Sequence, residues 1–473
     1  MTSTLTRRNF LGGALAAGLA SRTRAQEKPW NFLFILIDDM GWTDLSCYGS
    51  TFYRTPNIDR LAAEGMRFTN AYAACPVCSP TRASILTGKY PARLHVTDWI
   101  PGMVPPGMRM HEPEWTKYLP PEETTIPELL KPRGYASASV GKWHLGSADH
   151  YPEKNGFDLN VAGTEAPSPT TYFSPYHIAT IADGPPGEYL TDRITDEALR
   201  FLKSTGNKPY FLYMAEFAVH MPIQAKAEIT KTYVARIRPG QSQSNPTYAS
   251  MIDSVDQSVG RLLEHADDRT VVIFASDNGG VIKGIHITSN EPLRGEKGTL
   301  YEGGIRVPTI VKWPGVTKPG SVCDVPIISA DFYPTIAEIA GLPLPVGGVD
   351  GRSLVPLLRG TGQLEARSLY WHYPHYNLHQ ALEALLPSGA IRKGDFKLIE
   401  QYEDSSVELF NLHDDLGERY NLAKKMPEKA DELRSDLAAW RKAVGAQMPT
   451  ADPANYDPKK TVEWLKTRVH RNY

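Results

Sequence analysis

The sequence predicts an α/β protein built on a doubly wound, mostly parallel sheet flanked by helices, with a smaller α+β subdomain at the C-terminal end. Three observations lead to this prediction. Short, continuous apolar runs recur along the first part of the chain, helical patterns alternate with them, and this alternation stops at a Pro- and Gly-rich segment. The sequence contains no internal repeats that would indicate a solenoid or propeller.

The predicted strands are the apolar runs at residues 31–37, 136–140, 209–214 and 270–275. They are rich in β-branched or aromatic residues and do not alternate with polar ones, as is typical of strands covered on both faces. Helical patterns lie between them, at residues 57–64, 81–87, 125–131, 191–203 and 249–265. Because strands and helices alternate, we expect helices on both faces of the sheet.

The segment LPLPVGGVDGRSLVPLLRG, residues 342–360, marks the change in pattern. We therefore predict a main domain over residues 27–358 and a smaller subdomain over residues 359–473. Within the subdomain, strand-like pieces at 390–400 and 407–412 precede one amphipathic helix from about Pro427 to Val444.

Residues 1–26 have the features of an export signal. They combine the paired Arg7 and Arg8, an apolar stretch from Phe10 to Ala20, and a small residue at Ala25. The apolar stretch is shorter than the roughly 20 residues that a membrane span needs. The RRNFL segment is typical of a twin-arginine signal, whose route carries folded proteins, and an ordinary signal peptide is the alternative. We expect a periplasmic or secreted protein without a stable membrane span.

Composition limits the partners. A formal net charge of −2 gives no surplus of positive charge for a phosphate backbone, so we expect no nucleic acid partner. The four cysteines are too few for a disulfide framework in 473 residues, although one bridge remains open.

Acidic and amide side chains follow two of the predicted strands, where ligands bind in open α/β sheets. Asp38 and Asp39 follow the first strand, and Asp277 and Asn278 follow the fourth. Three carboxylates and an amide offer only oxygen, which suits calcium or magnesium better than zinc or copper. Each pair alone also fits a solvated turn or a helix cap, but two pairs at strand ends favour a metal site.

Basic side chains follow the other strands. Lys142 and His144 follow the second strand, His220 lies a few residues beyond the third, and Lys297 lies in the Gly-rich segment 293–308. A hard metal ion with lysines and histidines suits a tetrahedral oxyanion ester, because cations bind the anion and a proton donor serves the departing oxygen. Structural histidines and a flexible surface loop are the alternatives for these residues taken singly.

Cys78 forms a CxxC pattern with Cys75, which is also typical of a redox pair or half of a zinc site. No second CxxC follows, and the pair lies far beyond the first predicted strand. A buried structural cysteine near the start of a helix is a further alternative.

The residues after Cys78 predict a helix. Pro80 and Thr81 are good helix starters, and Gly88 is a good helix stop. Cys78 is therefore expected at a helix N-terminus, where the macrodipole favours an anion, with the guanidinium of Arg82 one turn later.

CSPTRASILTG, residues 78–88, resembles the signature of the type I sulfatases, CxPxR with a following Gly, a family of the alkaline phosphatase-like superfamily. Five further segments resemble motifs of that family in the same order: IDDMGW, GKWHLG, AVHMP, SDNGG and GEKGTLYEGGIRVP. The resemblance covers almost the whole mature chain, without a departure at a core position. It implies that residues 27–358 are a sulfatase catalytic domain and that the protein is a sulfuric ester hydrolase.

The resemblance also implies two cofactors. Cys78 would be oxidised by a formylglycine-generating enzyme to Cα-formylglycine, whose aldehyde hydrate is the nucleophile and regenerates its C=O as sulfate leaves. One Ca²⁺ would bind a sulfate oxygen and the following residues: Asp38, Asp39, Asp277, Asn278 and residue 78.

The remaining catalytic roles follow from the same resemblance. Asp277 would help to deprotonate the attacking hydroxyl, and Arg82 and Lys142 would hold the oxygens of residue 78. His144 would take the proton that lets the hemiacetal collapse. Lys297 and His220 would grip the sulfate, with His220, helped by Lys142, placed to protonate the leaving alcohol.

Substrate contacts are predicted outside these motifs. His95 and Asp98 in LHVTDW, and His372 and His375 in YWHYPHY, combine polar and aromatic character that suits a sugar ring. Core packing or turn formation is the alternative for each. We expect a sulfated sugar of a galactan or glycosaminoglycan type rather than a small aryl sulfate.

Two other functions remain open from sequence. A phosphatase or phosphonate monoester hydrolase shares the fold and metal edge, although such phosphatases generally use Ser or Thr and often two zinc ions. A calcium-dependent glycan-binding protein without turnover is the second, and the retention of every candidate catalytic residue argues against it.

Overall fold

The computed structural model describes residues 28–282, 287–377 and 386–469. The predicted export signal at 1–26 lies outside the described residues. In the described part of the chain, no helix is both long enough and apolar enough to cross a lipid bilayer.

The strands of the described residues are, in chain order, β1 (Asn31–Ile37), β2 (Met66–Phe68), β3 (Ala71–Tyr72), β4 (Met110–His111), β5 (Ala136–Gly141), β6 (Leu159–Val161), β7 (Tyr210–Ala215), β8 (Thr270–Ser276), β9 (Thr309–Lys312), β10 (Ser321–Cys323), β11 (Ile327–Ile328), β12 (Ser368–Tyr373), β13 (Ser388–Lys393), β14 (Phe396–Gln401), β15 (Val407–Asn411) and β16 (Thr450–Ala451). The α-helices are α1 (Pro56–Glu64), α2 (Cys78–Thr87), α3 (Pro91–Leu94), α4 (Ile126–Leu130), α5 (Leu190–Thr205), α6 (Ala227–Val234), α7 (Pro246–Leu263), α8 (Glu302–Ile305), α9 (Phe332–Ile339), α10 (Val355–Leu358), α11 (Pro427–Val444) and α12 (Pro458–Val469).

Eight strands form the main sheet, in the order β10-β2-β9-β8-β1-β7-β5-β6. Neighbours from β8 to β6 run parallel, whereas β9 runs antiparallel to both β8 and β2. The sheet is thus mostly parallel, and the predicted α/β class is confirmed. The four predicted strands and five predicted helices all form close to their predicted bounds.

The two faces of the sheet are buried under different helices, as successive side chains of a strand require. On β1, Leu33, Ile35 and Ile37 pack with α1, α5 and α7, whereas Phe32 and Phe34 pack with α2, α4 and α9. This double covering explains why β1 reads as a continuous apolar run.

A second, antiparallel sheet forms near the C-terminus in the order β12-β13-β14-β15. The predicted piece at 390–400 is a hairpin of β13 and β14 that turns at Gly394, where φ is 60°. One face of this sheet packs on α11 and the other on the segment before Cys78, where the Trp371 indole donates to the Ala73 carbonyl at 2.8 Å. The C-terminal sheet therefore supports the entry to α2.

Glu216 directly follows β7 and is a buried carboxyl group that forms no ion pair with the described residues. Its Oε1 accepts a hydrogen bond from the Ser258 hydroxyl at 2.9 Å, and its Oε2 has no partner. Burial raises the pKa of Glu216 from its ordinary 4.5 to about 8. The folded protein therefore holds this proton up to about pH 8, whereas the unfolded chain releases it near pH 4.5.

We expect Glu216→Gln to reduce the loss of stability that accompanies a rise in pH to about 8. Because the folded pKa is the higher one, the contribution of Glu216 is present below pH 4.5 and is lost as pH rises through about 8. The neutral amide removes that loss, so thermal unfolding should show a higher Tm for the variant at pH 8 than for the wild type, and little difference at pH 5. Parallel curves of Tm against pH for the two proteins would contradict this assignment.

Candidate active site

The acidic residues that follow β1 and β8 lie side by side, because these strands are neighbours with Ile37 paired to Ser276. The Asp39 N–H donates to Asp277 Oδ1 at 3.2 Å, and the Asn278 amide donates to Asp39 Oδ1 at 2.8 Å. The four predicted metal ligands are together and buried: Asp38, Asp39, Asp277 and Asn278.

Cys78 is the first residue of α2 and lies at the same edge of the sheet. The helix ends at Gly88, whose φ of 73° suits a residue without a Cβ. Four residues place ligand-capable atoms within 4.8 Å of one another: Asp38, Asp39, Cys78 and His220. The predicted helix start thus brings Cys78 to the predicted metal ligands.

The two cysteines of the CxxC pattern do not suit redox chemistry. Neither Cys75 nor Cys78 forms a disulfide. Burial raises the pKa of the Cys78 thiol to about 11 and that of Cys75 well above its ordinary value. Because the thiolate is the reactive form, these raised pKa values do not favour a redox pair at neutral pH. The group of potential metal ligands around Cys78 does not include Cys75.

Three cationic side chains are paired with these carboxylates: Arg82 and Lys142 are fully buried, and the side chain of Lys297 is 17% exposed. Arg82 donates from Nε and Nη2 to Asp277 Oδ2, at 3.0 and 2.8 Å, and from Nη1 to the Lys142 carbonyl at 2.8 Å. Lys142 Nζ donates to Asp38 Oδ2 at 2.6 Å. Lys297 Nζ lies 2.7 Å from Asp39 Oδ1. Burial alone would raise the pKa of Asp39, but the charge of Lys297 holds it below its ordinary value.

His144 presents a free ring nitrogen to the site. Its Nε2 donates to the Ile100 carbonyl, which can only accept, so Nδ1 carries no proton in the neutral ring. That Nδ1 is buried without a partner. Burial, together with the charge of Lys142, holds the pKa of His144 well below its ordinary value. The geometry suits a group that accepts a proton at Nδ1.

His220 points its second ring nitrogen into the acidic cluster, the group formed by Asp38, Asp39, Asp277 and Asn278. Its Nδ1 donates to the Met221 carbonyl at 2.9 Å, and its Nε2 lies 3.6 Å from Asp39 Oδ2. The single O–H of Tyr172 is shared between two carbonyls, that of Phe217 at 2.7 Å and that of His220 at 2.9 Å, which fixes this segment. Sequence reasoning missed Tyr172, because a single tyrosine outside any motif carries no local signal.

Two oxygens of the cluster have no hydrogen-bond partner: Asp38 Oδ1 and Asn278 Oδ1, both buried. Burial, reinforced by the charge of Asp277, raises the pKa of Asp38 to about 8. A divalent cation among these oxygens would satisfy both atoms and offset the repulsion between carboxylates. Three carboxylates and an amide oxygen are a donor set that fits calcium.

Two of the predicted substrate contacts, His95 and Asp98, lie in the loop at 95–98. The other two lie in or directly after β12 of the C-terminal sheet. His95 Nε2 bonds the Gly445 carbonyl at 3.1 Å, and Asp98 Oδ1 accepts from the Tyr373 hydroxyl at 2.7 Å, while Asp98 Oδ2 is buried without a partner.

The two histidines of YWHYPHY are both buried and hydrogen-bonded within the protein. The ring nitrogens of His372 bond the Tyr402 hydroxyl and the Gln447 carbonyl. Those of His375 bond the Thr97 hydroxyl and the Glu112 carboxylate. Neither imidazole has a ring nitrogen to spare in this conformation, so their contact with substrate stays a prediction. Among the four residues, Asp98 Oδ2 is the one buried side-chain atom without a hydrogen-bond partner.

Comparison with known proteins identifies the family of this chain. The profile of the sulfatase family matches residues 30–342, and a profile described as N-sulphoglucosamine sulphohydrolase, C-terminal, matches residues 295–443. The chain is 33% identical to a sulfatase of Formosa agariphila, over 90% of this chain and 91% of that protein. It is 35% identical to N-acetylgalactosamine-6-sulfatase of Homo sapiens, over 92% and 90% of the two chains.

Solved structures agree in fold. The crystal structure of Ps i-CgsB is similar to this chain with a TM-score of 0.74 and 28% identity, covering 94% of this chain and 98% of that one. The same protein in complex with k-i-k-neocarrahexaose gives a TM-score of 0.73 at 27% identity, with the same coverage. The chain belongs to the sulfatase family and is a sulfuric ester hydrolase.

Proposed function

We propose that the protein releases inorganic sulfate from a sulfated carbohydrate, using a formylglycine made from Cys78 and a bound calcium ion. One observation carries the proposal: the Cys78 sulfur lies within 4.8 Å of ligand atoms of Asp38, Asp39 and His220, at the N-terminus of α2. An oxygen in place of this sulfur would face a cation held by the carboxylates and the positive end of the helix dipole.

The hydrated aldehyde supplies a nucleophilic hydroxyl that can expel sulfate by re-forming its C=O bond, without a second hydrolysis by water. An unmodified thiol with a pKa of about 11 is a poor substitute at neutral pH. Because Cys78 is only 2% exposed, a formylglycine-generating enzyme would have to act before the chain folds. Such early maturation is compatible with export of the folded protein by a twin-arginine signal to the periplasm or beyond.

Calcium would be held by the oxygen ligands Asp38, Asp39, Asp277 and Asn278, together with residue 78. Bound there, the ion supplies positive charge to a sulfate oxygen and to the nucleophile. Asp277 would take a proton from the attacking hydroxyl. Two hydrogen bonds from Arg82 to its Oδ2 hold the carboxylate in a fixed orientation. Arg82 also keeps Asp277 close to residue 78.

The lysines divide between the nucleophile and the sulfate. Lys142 and Arg82 are fully buried. They would bind the oxygens of residue 78 and stabilise the negative charge that develops on them. Lys297 lies on the Asp39 side of the cluster and would bind the sulfate oxygens with His220.

Besides the proton taken by Asp277, two further protons must move during the reaction. One must reach the departing alcohol oxygen, and His220 Nε2 is the titrating atom on that side, because Nδ1 is held by a backbone carbonyl. The charge of Lys142 nearby would support this transfer. The other proton leaves residue 78 when sulfate is released, and His144 Nδ1 is the unpartnered acceptor for it.

A carbohydrate substrate is favoured by two likenesses. One relative is named N-acetylgalactosamine-6-sulfatase, and Ps i-CgsB has been solved with k-i-k-neocarrahexaose. In this chain the unpaired Asp98 Oδ2, in the loop whose Ile100 carbonyl holds His144, offers an acceptor for a sugar hydroxyl. A galactan or glycosaminoglycan sugar therefore remains our preference.

The test is sulfate release by protein coexpressed with a formylglycine-generating enzyme and purified with calcium. A panel of sulfated mono- and oligosaccharides should contain at least one substrate that is turned over faster than its phosphate and phosphonate analogues. Turnover of the phosphorus esters alone would instead support a phosphonate or phosphate monoester hydrolase. Calcium-dependent binding of the sugars without turnover would support a glycan-binding protein.

A further inference from the structure

Asn290 joins three loops of the site through one side-chain amide. Its Nδ2 lies within hydrogen-bond distance of three backbone carbonyls: 2.9 Å from Gly280, 3.1 Å from Gly295 and 3.2 Å from Gly303. The residue is 1% exposed. It lies in none of the motifs from which the site was predicted.

These carbonyls belong to segments that carry functional side chains. Gly280 lies two residues after Asn278, and Gly295 lies two residues before Lys297. The backbone N–H of Lys297 donates to the same Gly280 carbonyl at 3.2 Å. The Gly280 carbonyl, just after the predicted metal ligand Asn278, therefore accepts hydrogen bonds from both Asn290 and the backbone of Lys297, and it links the positions of the two segments.

The space for this amide exists because its neighbours are glycines. A Cβ on Gly41, in the segment after Asp39, would lie 2.6 Å from Asn290 Oδ1, and a Cβ on Gly280 would lie 3.0 Å from it. The distance at Gly41 is shorter than real Cβ contacts, and the distance at Gly280 is tighter than most of them, so these two glycines let the amide lie between the two acidic loops. The amide orientation follows from its partners, because three carbonyls can only accept and must face the NH₂ group.

We propose that Asn290 is a positioning residue for Lys297. It acts by clamping the 293–300 loop to the 279–282 loop, which sets where the Lys297 ammonium meets the sulfate. The inference rests on the sulfate-binding role proposed for Lys297. A shift of about 1 Å in a group that contacts substrate can cost as much as roughly 10²-fold in rate.

A merely structural role would appear as lost stability without a specific loss of sulfate binding. Asn57 provides the matched control, since its amide also donates across the fold, to Asp256 Oδ2 at 2.8 Å, but joins α1 to α7 away from the site. Asn57→Ala should therefore lower stability and leave turnover near that of the wild type.

The experiment uses matured, calcium-loaded full-length protein and the variants Asn290→Ala and Asn290→Asp. The aspartate keeps the shape but turns a donor into an acceptor that faces three carbonyls, so it should not rescue the alanine. We expect both to lower kcat/KM at least about tenfold and to weaken competitive inhibition by inorganic sulfate. Hydrogen exchange should become faster in the 293–300 loop of both variants but not in Asn57→Ala.

A double-mutant cycle separates this inference from the role of Lys297. If Asn290 acts through Lys297, Asn290→Ala should have little further effect in a Lys297→Ala background. An equal loss in both backgrounds, unchanged exchange in the 293–300 loop, or full activity of Asn290→Asp would each overturn the inference. Full activity of Lys297→Ala with faster loop exchange in Asn290→Ala would instead refute the sulfate-binding role and leave the clamp itself supported.

Discussion

Replacement of Cys78 by alanine is expected to lower turnover by roughly 10⁴-fold or more, because it removes the atom from which the nucleophile is made. The fold should persist, because no side-chain hydrogen bond caps the start of α2 and the loss of one buried sulfur is small beside the surrounding core. The measurement is sulfate release per folded protein, with calcium binding as the check on the cluster. Full activity of Cys78→Ala would refute the mechanism.

Cys75→Ala is the matched control for this prediction. Cys75 is as buried as Cys78, but its sulfur lies toward the Thr97 carbonyl, at 4.0 Å, and outside the potential metal ligands. We expect this variant to be matured and active, which would also exclude a functional CxxC pair.

Cys78→Ser tests the chemistry of maturation. Serine keeps an oxygen at the position of the sulfur, so the protein should fold and bind calcium. It should be inactive when produced with an aerobic maturation enzyme, because such enzymes act on the thiol. Mass spectrometry of the active wild type should find the peptide at residue 78 without its sulfur, and an untouched thiol there would contradict the proposal.

The acidic cluster was predictable because its signal is local. Asp38 and Asp39 directly follow one apolar strand, and Asp277 and Asn278 directly follow another, and parallel neighbours end at the same edge. The start of α2 was equally predictable from the residues after Cys78. In each case the backbone alone brings the side chains to the site.

The pairing of charges was not predictable in this way. Arg82 and Asp277 are 195 positions apart, and their two hydrogen bonds depend on the packing of α2 against the end of β8. Whether His144 would have a free Nδ1 depended on the distant Ile100 carbonyl. The residue types are visible in the sequence, but the tautomer of His144 and the partners of each charge depend on the fold.

The histidines of the C-terminal subdomain mark the limit of reasoning from composition. His372 and His375 lie in an aromatic segment that suits a sugar contact, yet each uses both ring nitrogens within the protein. Buried polar groups are normally satisfied by such partners, and only the fold identifies them. Asn290 is the reverse case, a buried amide in contact with the functional loops that has no local pattern.

Removal of calcium is expected to cause the second large loss, at least roughly 10²- to 10³-fold in turnover, because one preorganised charge then disappears from the site. The metal-free protein should also be less stable, since the carboxylates lose the cation that offsets their repulsion and leave Asp38 Oδ1 and Asn278 Oδ1 unpaired. Dialysis against a chelator should lower both turnover and Tm, and added calcium should restore both. Unchanged activity after complete removal would contradict the metal assignment.

A variant pair makes the calcium prediction specific to the cluster. Asp38→Asn replaces a carboxylate ligand of the proposed site by a neutral amide, so we expect weaker calcium binding by calorimetry and a calcium requirement for turnover that shifts to higher concentration. Glu216→Gln makes the same carboxyl-to-amide change at another buried position, at the end of the neighbouring strand β7, where the side chain bonds Ser258 instead of facing Asp38 and Asp39. Calcium affinity should be unchanged in Glu216→Gln, and an equal weakening in both variants would show that any buried carboxyl-to-amide change, rather than the loss of this particular ligand, weakens the binding of the ion.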